Sequence, residues 1–222
     1  MEKITLSIVI KLIAGLIFIG VLLFLPAGTY TFWNGWLFLG VVLIPVLINA
    51  VLLYKKSPEL LKKRLDTKEK MTSQKWVIRI SGVMFLLGFL VSGLCYRYQW
   101  GRLPSGISVI ASAMYLCFYF LYLEVMRENP YLSRTVTVCE NQKVIDTGMY
   151  AILRHPMYAV TLGLFFMMPL MLGSWVAFFV FLCYPLIIVI RIQQEEHYLT
   201  EHLDGYSEYK KRVKYRLIPF IW

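Results

Sequence analysis

The chain has 222 residues, of which 59% are hydrophobic and only 16% charged, and its mean hydropathy is +0.62. Those values exclude an ordinary soluble domain and a disordered chain, and they point to a protein that crosses a membrane several times. The formal charge of +10 matters for where its cations fall. Four scattered cysteines, Cys95, Cys117, Cys139 and Cys183, suggest neither a disulfide framework nor a zinc site.

In chain order, the first apolar run is Ile4 to Leu25. It is longer than the core of a secretion signal and ends without a small-x-small cleavage site, so it reads as a first membrane helix. Further runs lie at Phe32 to Tyr54, Val77 to Tyr96, Ile107 to Val125, Met157 to Leu172 and Trp175 to Ile190. Together they predict an all-α, polytopic membrane bundle of about six transmembrane helices. With the N-terminus in the cytosol, the positive-inside rule places Lys55 to Lys75, Arg127 to His155 and the C-terminal tail on the cytosolic side. The other side receives Pro26 to Thr31, Tyr98 to Gly106 and a Gly173-Ser174 turn, with Arg102 the sole basic residue among them. Trp100 and Trp222 are suited to interfacial anchoring. The first cytosolic loop, YKKSPELLKKRLDTKEKMTSQKW, has many lysines but no interleaved aromatic residues and no nucleic-acid motif. It reads as a solvated amphipathic helix, and nucleic acid is not an expected partner.

The last two runs have about sixteen residues each, so each extends roughly 24 Å against a hydrocarbon core of about 30 Å. If the turn between them reaches the far interface, His155 and Arg191 lie at the cytosolic edge. Polar side chains there must face protein, water or a ligand. The stretch GMYAILRHPMY, Gly148 to Tyr158, has Pro156 where a helix can start, and its arginine, Arg154, fits an inside-positive charge at the lipid boundary. Ahead of it, DTGMY supplies a turn. After the sixth run, RIQQEEHYLTEHLDGYSEYKKRV continues as a helix from Arg191, with Gly205 suited to cap it. On that helix Arg191, Glu195, Tyr198 and His202 share one stripe, while Glu196 points well away and is expected to matter much less. Without further context, Arg191 and Glu195 also fit a snorkelling arginine with an i, i+4 glutamate on a solvated helix. The hairpin, however, brings the RHP segment back alongside them and outlines one cytosol-facing pocket.

The blocks TG-x-Y-x-x-x-RHP-x-Y at Thr147 to Tyr158, R-x-x-x-EE-x-x-L at Arg191 to Leu199 and GYSEYKKRVKYRLIP at Gly205 to Pro219 together resemble the isoprenylcysteine carboxyl methyltransferase family. So does ENPYLSRTVTV at Glu128 to Val138. The resemblance implies an integral membrane enzyme that uses S-adenosylmethionine without the soluble Rossmann methyltransferase fold, in agreement with the absence of a G-x-G-x-x-G motif. Residues 1–126 would supply N-terminal membrane helices and the basic loop, and residues 127–222 the cofactor-binding and catalytic region. Carried over by position, the cofactor would be held by Gln142, Lys143, Val144, Ile145, Tyr150, His155, Pro156, Met157, Tyr158 and Glu195. Arg191 would face a substrate carboxylate, which makes Arg191 and Glu195 the catalytic residues, with no metal.

The implied acceptor is lipophilic, most simply a prenylcysteine-like carboxylate that enters from the bilayer, with membrane lipids as its surroundings. Two other enzyme classes fit the same hydropathy. A phospholipid or amine N-methyltransferase would need a base such as Glu196 or His202. A sterol reductase-like enzyme would need NADPH. A non-catalytic lipid-binding membrane protein is the remaining alternative.

Overall fold

The computed structural model describes residues 2–58, 60–61, 72–133 and 135–222. These residues form helices α1 (Glu2–Ala27), α2 (Trp33–Lys56), α3 (Thr72–Tyr98) and α4 (Ser105–Glu128), then a 3-10 turn at Gly148–Ala151. They continue as α5 (Pro156–Met171), α6 (Trp175–Phe181), α7 (Tyr184–His202) and α8 (Tyr206–Arg212). Among the described residues there is no strand, only two isolated bridges, Arg102 with Ser174 and Leu153 with Tyr215. The solvated helix expected in the lysine-rich loop lies largely outside the described residues.

Four segments are long and apolar enough to cross a bilayer: Trp33–Lys56, Gln74–Tyr98, Ser105–Glu128 and Trp175–His202. Ile13–Ala27 and Pro156–Met171 are shorter apolar helices. Apolar residues such as Ile44, Ile48, Val51, Val109, Ile110 and Phe120 are exposed on these helices, as lipid requires and water would not tolerate over such an area. The sixth apolar run differs from expectation in one respect. It is broken at Leu182 and Cys183, because Pro185 has no N–H to continue the ladder and sits in the first turn of a new helix.

The described chain packs as two compact units. The first consists of Met1–Ile44, Val83–Tyr115 and Phe166–Leu182. Its core is aromatic, with Phe89 and Phe85 beside Phe181 at centroid distances of 6.4 and 5.4 Å. Gly88 permits this approach, since a Cβ there would lie 2.3 Å from the Phe181 ring. Buried Asn34 donates to Ser108 Oγ at 2.9 Å and to the Met171 carbonyl at 3.2 Å, which fastens α2 to α4 and α5. The turn after α5 joins the loop before α4, with Leu103 N–H donating to the Gly173 carbonyl at 2.9 Å and Trp175 N–H to Gly101 at 3.2 Å. Ser174 then caps α6 by accepting from Ala177 N–H.

The second unit consists of Pro45–Gly82, Leu116–Phe165 and Cys183–Trp222. Its core includes Leu203, Tyr206, Tyr209 and Val213, with Val138, Val144 and Leu199 packed against them. Every candidate site residue named above belongs to this unit.

Candidate active site

The RHP segment is held from the side by the end of α4. Gly148 has φ of +55°, a left-handed conformation that favours glycine, and a Cβ there would lie 1.8 Å from Glu128 Oε1. The same carboxylate accepts from Met149 N–H at 2.9 Å. One residue further, Asn129 Nδ2 donates to the Tyr150 hydroxyl at 3.1 Å. The Tyr150 carbonyl accepts from the Tyr209 hydroxyl at 2.7 Å, so buried Tyr150 is fixed at both ends. Burial pushes the pKa of the Tyr209 hydroxyl up, which keeps it a donor. Pro156 then opens α5, and the His155 carbonyl accepts from Tyr158 and Ala159 N–H.

The tail after α8 returns along this segment. Arg154 N–H donates to the Tyr215 carbonyl and His155 N–H to the Arg216 carbonyl, each at 2.9 Å. The Arg154 side chain points inward. Its Nη1 donates to the Val213 and Lys214 carbonyls at 2.7 and 2.9 Å, and its Nε meets Glu196 Oε1 at 2.6 Å. Glu196 is only 3% exposed. Besides Arg154, its carboxylate faces His155 Nε2 at 3.3 Å, Arg216 Nε at 3.0 Å and Lys210 Nζ at 3.9 Å. A buried carboxylate needs such partners to offset its lost hydration.

This knot bears on two readings. Arg154 points into the protein rather than serving as a lipid-boundary charge, and Glu196, expected to matter much less than Glu195, is buried among cations. Glu196 lies about 140° around the helix from Arg191 at 100° per residue, as the spacing predicted, but that direction leads into the protein. The available signal was the arginine of RHP together with the basic tail, cations needing a counter-charge that the second glutamate of the EE pair supplies.

Arg191 and Glu195 meet on a third residue. Arg191 Nε donates to the Tyr158 hydroxyl at 2.7 Å, and that hydroxyl donates to Glu195 Oε2 at 2.5 Å. The guanidinium also lies 5.7 Å from the Tyr158 ring centroid, and the His155 ring stacks on Tyr158 at 5.7 Å. Tyr198 and His202 stack on each other with centroids 4.2 Å apart.

The remaining candidates are distributed around this centre. Gln142 Oε1 accepts from Cys139 N–H at 2.9 Å and stabilises a turn. Lys143 is exposed, Ile145 is half-buried, and Val144 packs on the Leu203–Val213 cluster. Pro156 is fully buried and Met157 half-buried. Trp222 lies under the Arg216 guanidinium, 5.0 Å from ring centroid to Cζ.

Residues 109–201 match the family model of the isoprenylcysteine carboxyl methyltransferase (ICMT) family. Over this segment the chain is similar to the ICMT family. No curated protein matches the chain. The ICMT match takes in the RHP segment, Arg191, Glu195 and Glu196, and stops before the tail that supplies Tyr206, Tyr209 and Arg216. The match supports a membrane methyltransferase, and the apolar helices fit an integral membrane protein.

Proposed function

We propose that the protein transfers a methyl group from S-adenosylmethionine to the carboxylate of a lipophilic, prenylcysteine-like acceptor. The observation that carries this reading is the Arg191–Tyr158–Glu195 chain inside the ICMT match. The residue types there fit the cofactor. A carboxylate such as Glu195 accepts from an ammonium, and the rings of Tyr150, His155 and Tyr158 suit adenine and a sulfonium. Gln142 to Ile145, Tyr150, His155 to Tyr158 and Glu195 are the residues we assign to holding it. The cofactor supplies an activated methyl with its own leaving group.

The chain's own residues then have positioning work. A carboxylate acceptor is ionised near neutral pH, so no base is needed, and rate comes from alignment. Arg191 orients the acceptor oxygen, while Tyr158 fixes the guanidinium and Glu195 relative to each other. The amine alternative is less well supported, because both oxygens of Glu196 are engaged by Arg154, His155 and Arg216 and the His202 ring nitrogen faces the Tyr198 carbonyl at 2.9 Å.

We further infer six spans with the site facing the cytosol, and residues 127–222 as the catalytic region. The turn before α5 is bonded to the end of α4, and the turn after α5 to the loop before α4. Thus α5 is supported as a return crossing beside α4. The lipophilic acceptor enters from the bilayer, and the cofactor from the cytosol.

The test uses the purified chain in detergent, with labelled S-adenosylmethionine and a farnesylated cysteine analogue. Label is expected in a base-labile methyl ester. Stabilisation by NADPH but not by S-adenosylhomocysteine would replace the reading with a reductase. Label in a lipid amine would replace it with an N-methyltransferase.

A further inference from the structure

Three buried side-chain atoms among the described residues have no hydrogen-bond partner: Gln74 Oε1, Gln194 Oε1 and the Tyr206 hydroxyl. A buried hydroxyl without a partner has lost its water and gained nothing, so it calls for an explanation. Tyr206 is 4% exposed and lies five residues beyond the segment matched by the family model. Its neighbour in the motif, Tyr209, spends its hydroxyl on the Tyr150 carbonyl. Tyr206 has no such use.

The position of Tyr206 is informative. Its backbone N–H is bonded to the Leu203 carbonyl at 3.2 Å, which fixes where the ring starts. The ring belongs to the cluster on which Val144 and Leu199 pack, and Val144 lies beside the preceding residue, with its Cγ2 4.0 Å from where a Cβ on Gly205 would be. Burial and then the charges of Glu196 and Glu195 push its pKa up, so it remains a neutral donor. Tyr206 therefore sits in the cluster that packs on Val144, within the electrostatic reach of Glu195.

We propose that the Tyr206 hydroxyl is a further cofactor-binding group, which donates a hydrogen bond to S-adenosylmethionine held between the Gln142 to Ile145 segment and Glu195. This rests on the methyltransferase reading. The bound cofactor gives the hydroxyl the acceptor that the protein withholds, and the ring keeps its packing role in either state.

Tyr206→Phe separates the two roles, since it removes the oxygen and keeps the ring. The full chain in detergent is titrated with S-adenosylhomocysteine by calorimetry, and its thermal unfolding is followed without ligand. The expected result is affinity about tenfold weaker, about 1.4 kcal/mol, with an unfolding midpoint equal to or above that of the parent chain. Unchanged affinity overturns the inference and leaves the methyltransferase reading standing. A lowered midpoint also overturns it, because the hydroxyl would then have a partner within the protein. Failure of the parent chain to bind S-adenosylhomocysteine overturns the methyltransferase reading, and the inference with it.

Discussion

Arg154 Nε and Glu196 Oε1 are 2.6 Å apart, 42 residues apart in sequence, and both side chains are almost wholly buried. This contact joins the start of α5 to the middle of α7, and Arg216 adds the tail from the other carboxylate oxygen. Removing one member leaves buried charge without compensation, which costs about 3–5 kcal/mol in comparable sites. Glu196→Gln is therefore expected to lower the unfolding midpoint strongly in detergent. Arg154→Met combined with Glu196→Leu should lose less than the sum of the two single changes. Additive losses would mean that the pair is not coupled.

Glu195→Gln should behave differently from its neighbour. Its carboxylate is half-buried and meets the Tyr158 hydroxyl rather than a buried cation. Stability should change little, while affinity for S-adenosylhomocysteine falls by roughly 1.5–3 kcal/mol through loss of a charge-assisted contact. Calorimetric titration of both variants checks this. Equal loss of stability at positions 195 and 196 would refute the division of labour.

The contrast between those two glutamates shows what was legible in the sequence. The apolar runs gave the helices to within a few residues, and the helical period put Arg191 and Glu195 on one face. The turn at Gly148 was also readable, because few residues but glycine adopt its backbone. The destination of Glu196 was not readable. Its partners lie 42 residues before it and 20 after it, and only the return of the tail, through Arg154 and His155 backbone bonds, brings them together. Tyr158 likewise gave no sign that its hydroxyl would bridge Arg191 and Glu195. The break at Leu182 was marked by Pro185 but masked by continuous hydropathy.

Gly148 offers a test of the support under the site. Alanine there would adopt a left-handed conformation, at a cost of roughly 1–2 kcal/mol, and its Cβ would collide with Glu128. Gly148→Ala should lower the unfolding midpoint and weaken cofactor binding together, because Tyr150 and His155 follow directly from this turn. Unchanged binding would show that the turn does not position them.

Topology is tested by labelling. With Cys95, Cys117, Cys139 and Cys183 replaced, a cysteine at exposed Glu140 should react with impermeant reagents only from the cytosolic side. Cysteines at Ser105 and at exposed Trp175 should both react only from the other side. If the Trp175 position reacted from the cytosol, α5 would not cross, and six spans would be too many.

The role of Arg191 is decided by two substitutions read together. Arg191→Lys keeps the charge but loses the planar fork and the Nε–H that engages Tyr158, so turnover should fall strongly while cofactor affinity barely changes. Tyr158→Phe leaves the guanidinium intact and removes the hydroxyl that holds it to Glu195. It should also lower turnover, and its loss in the Arg191→Lys background should be small, since the bridge is already broken. A snorkelling arginine predicts the opposite, because lysine reaches the headgroups with the same charge and should retain nearly full activity. The measurements are methyl transfer to a farnesylated cysteine analogue and calorimetric affinity for S-adenosylhomocysteine. Normal turnover in Arg191→Lys would remove its substrate-orienting role, and a matching loss of affinity would reassign it to the cofactor.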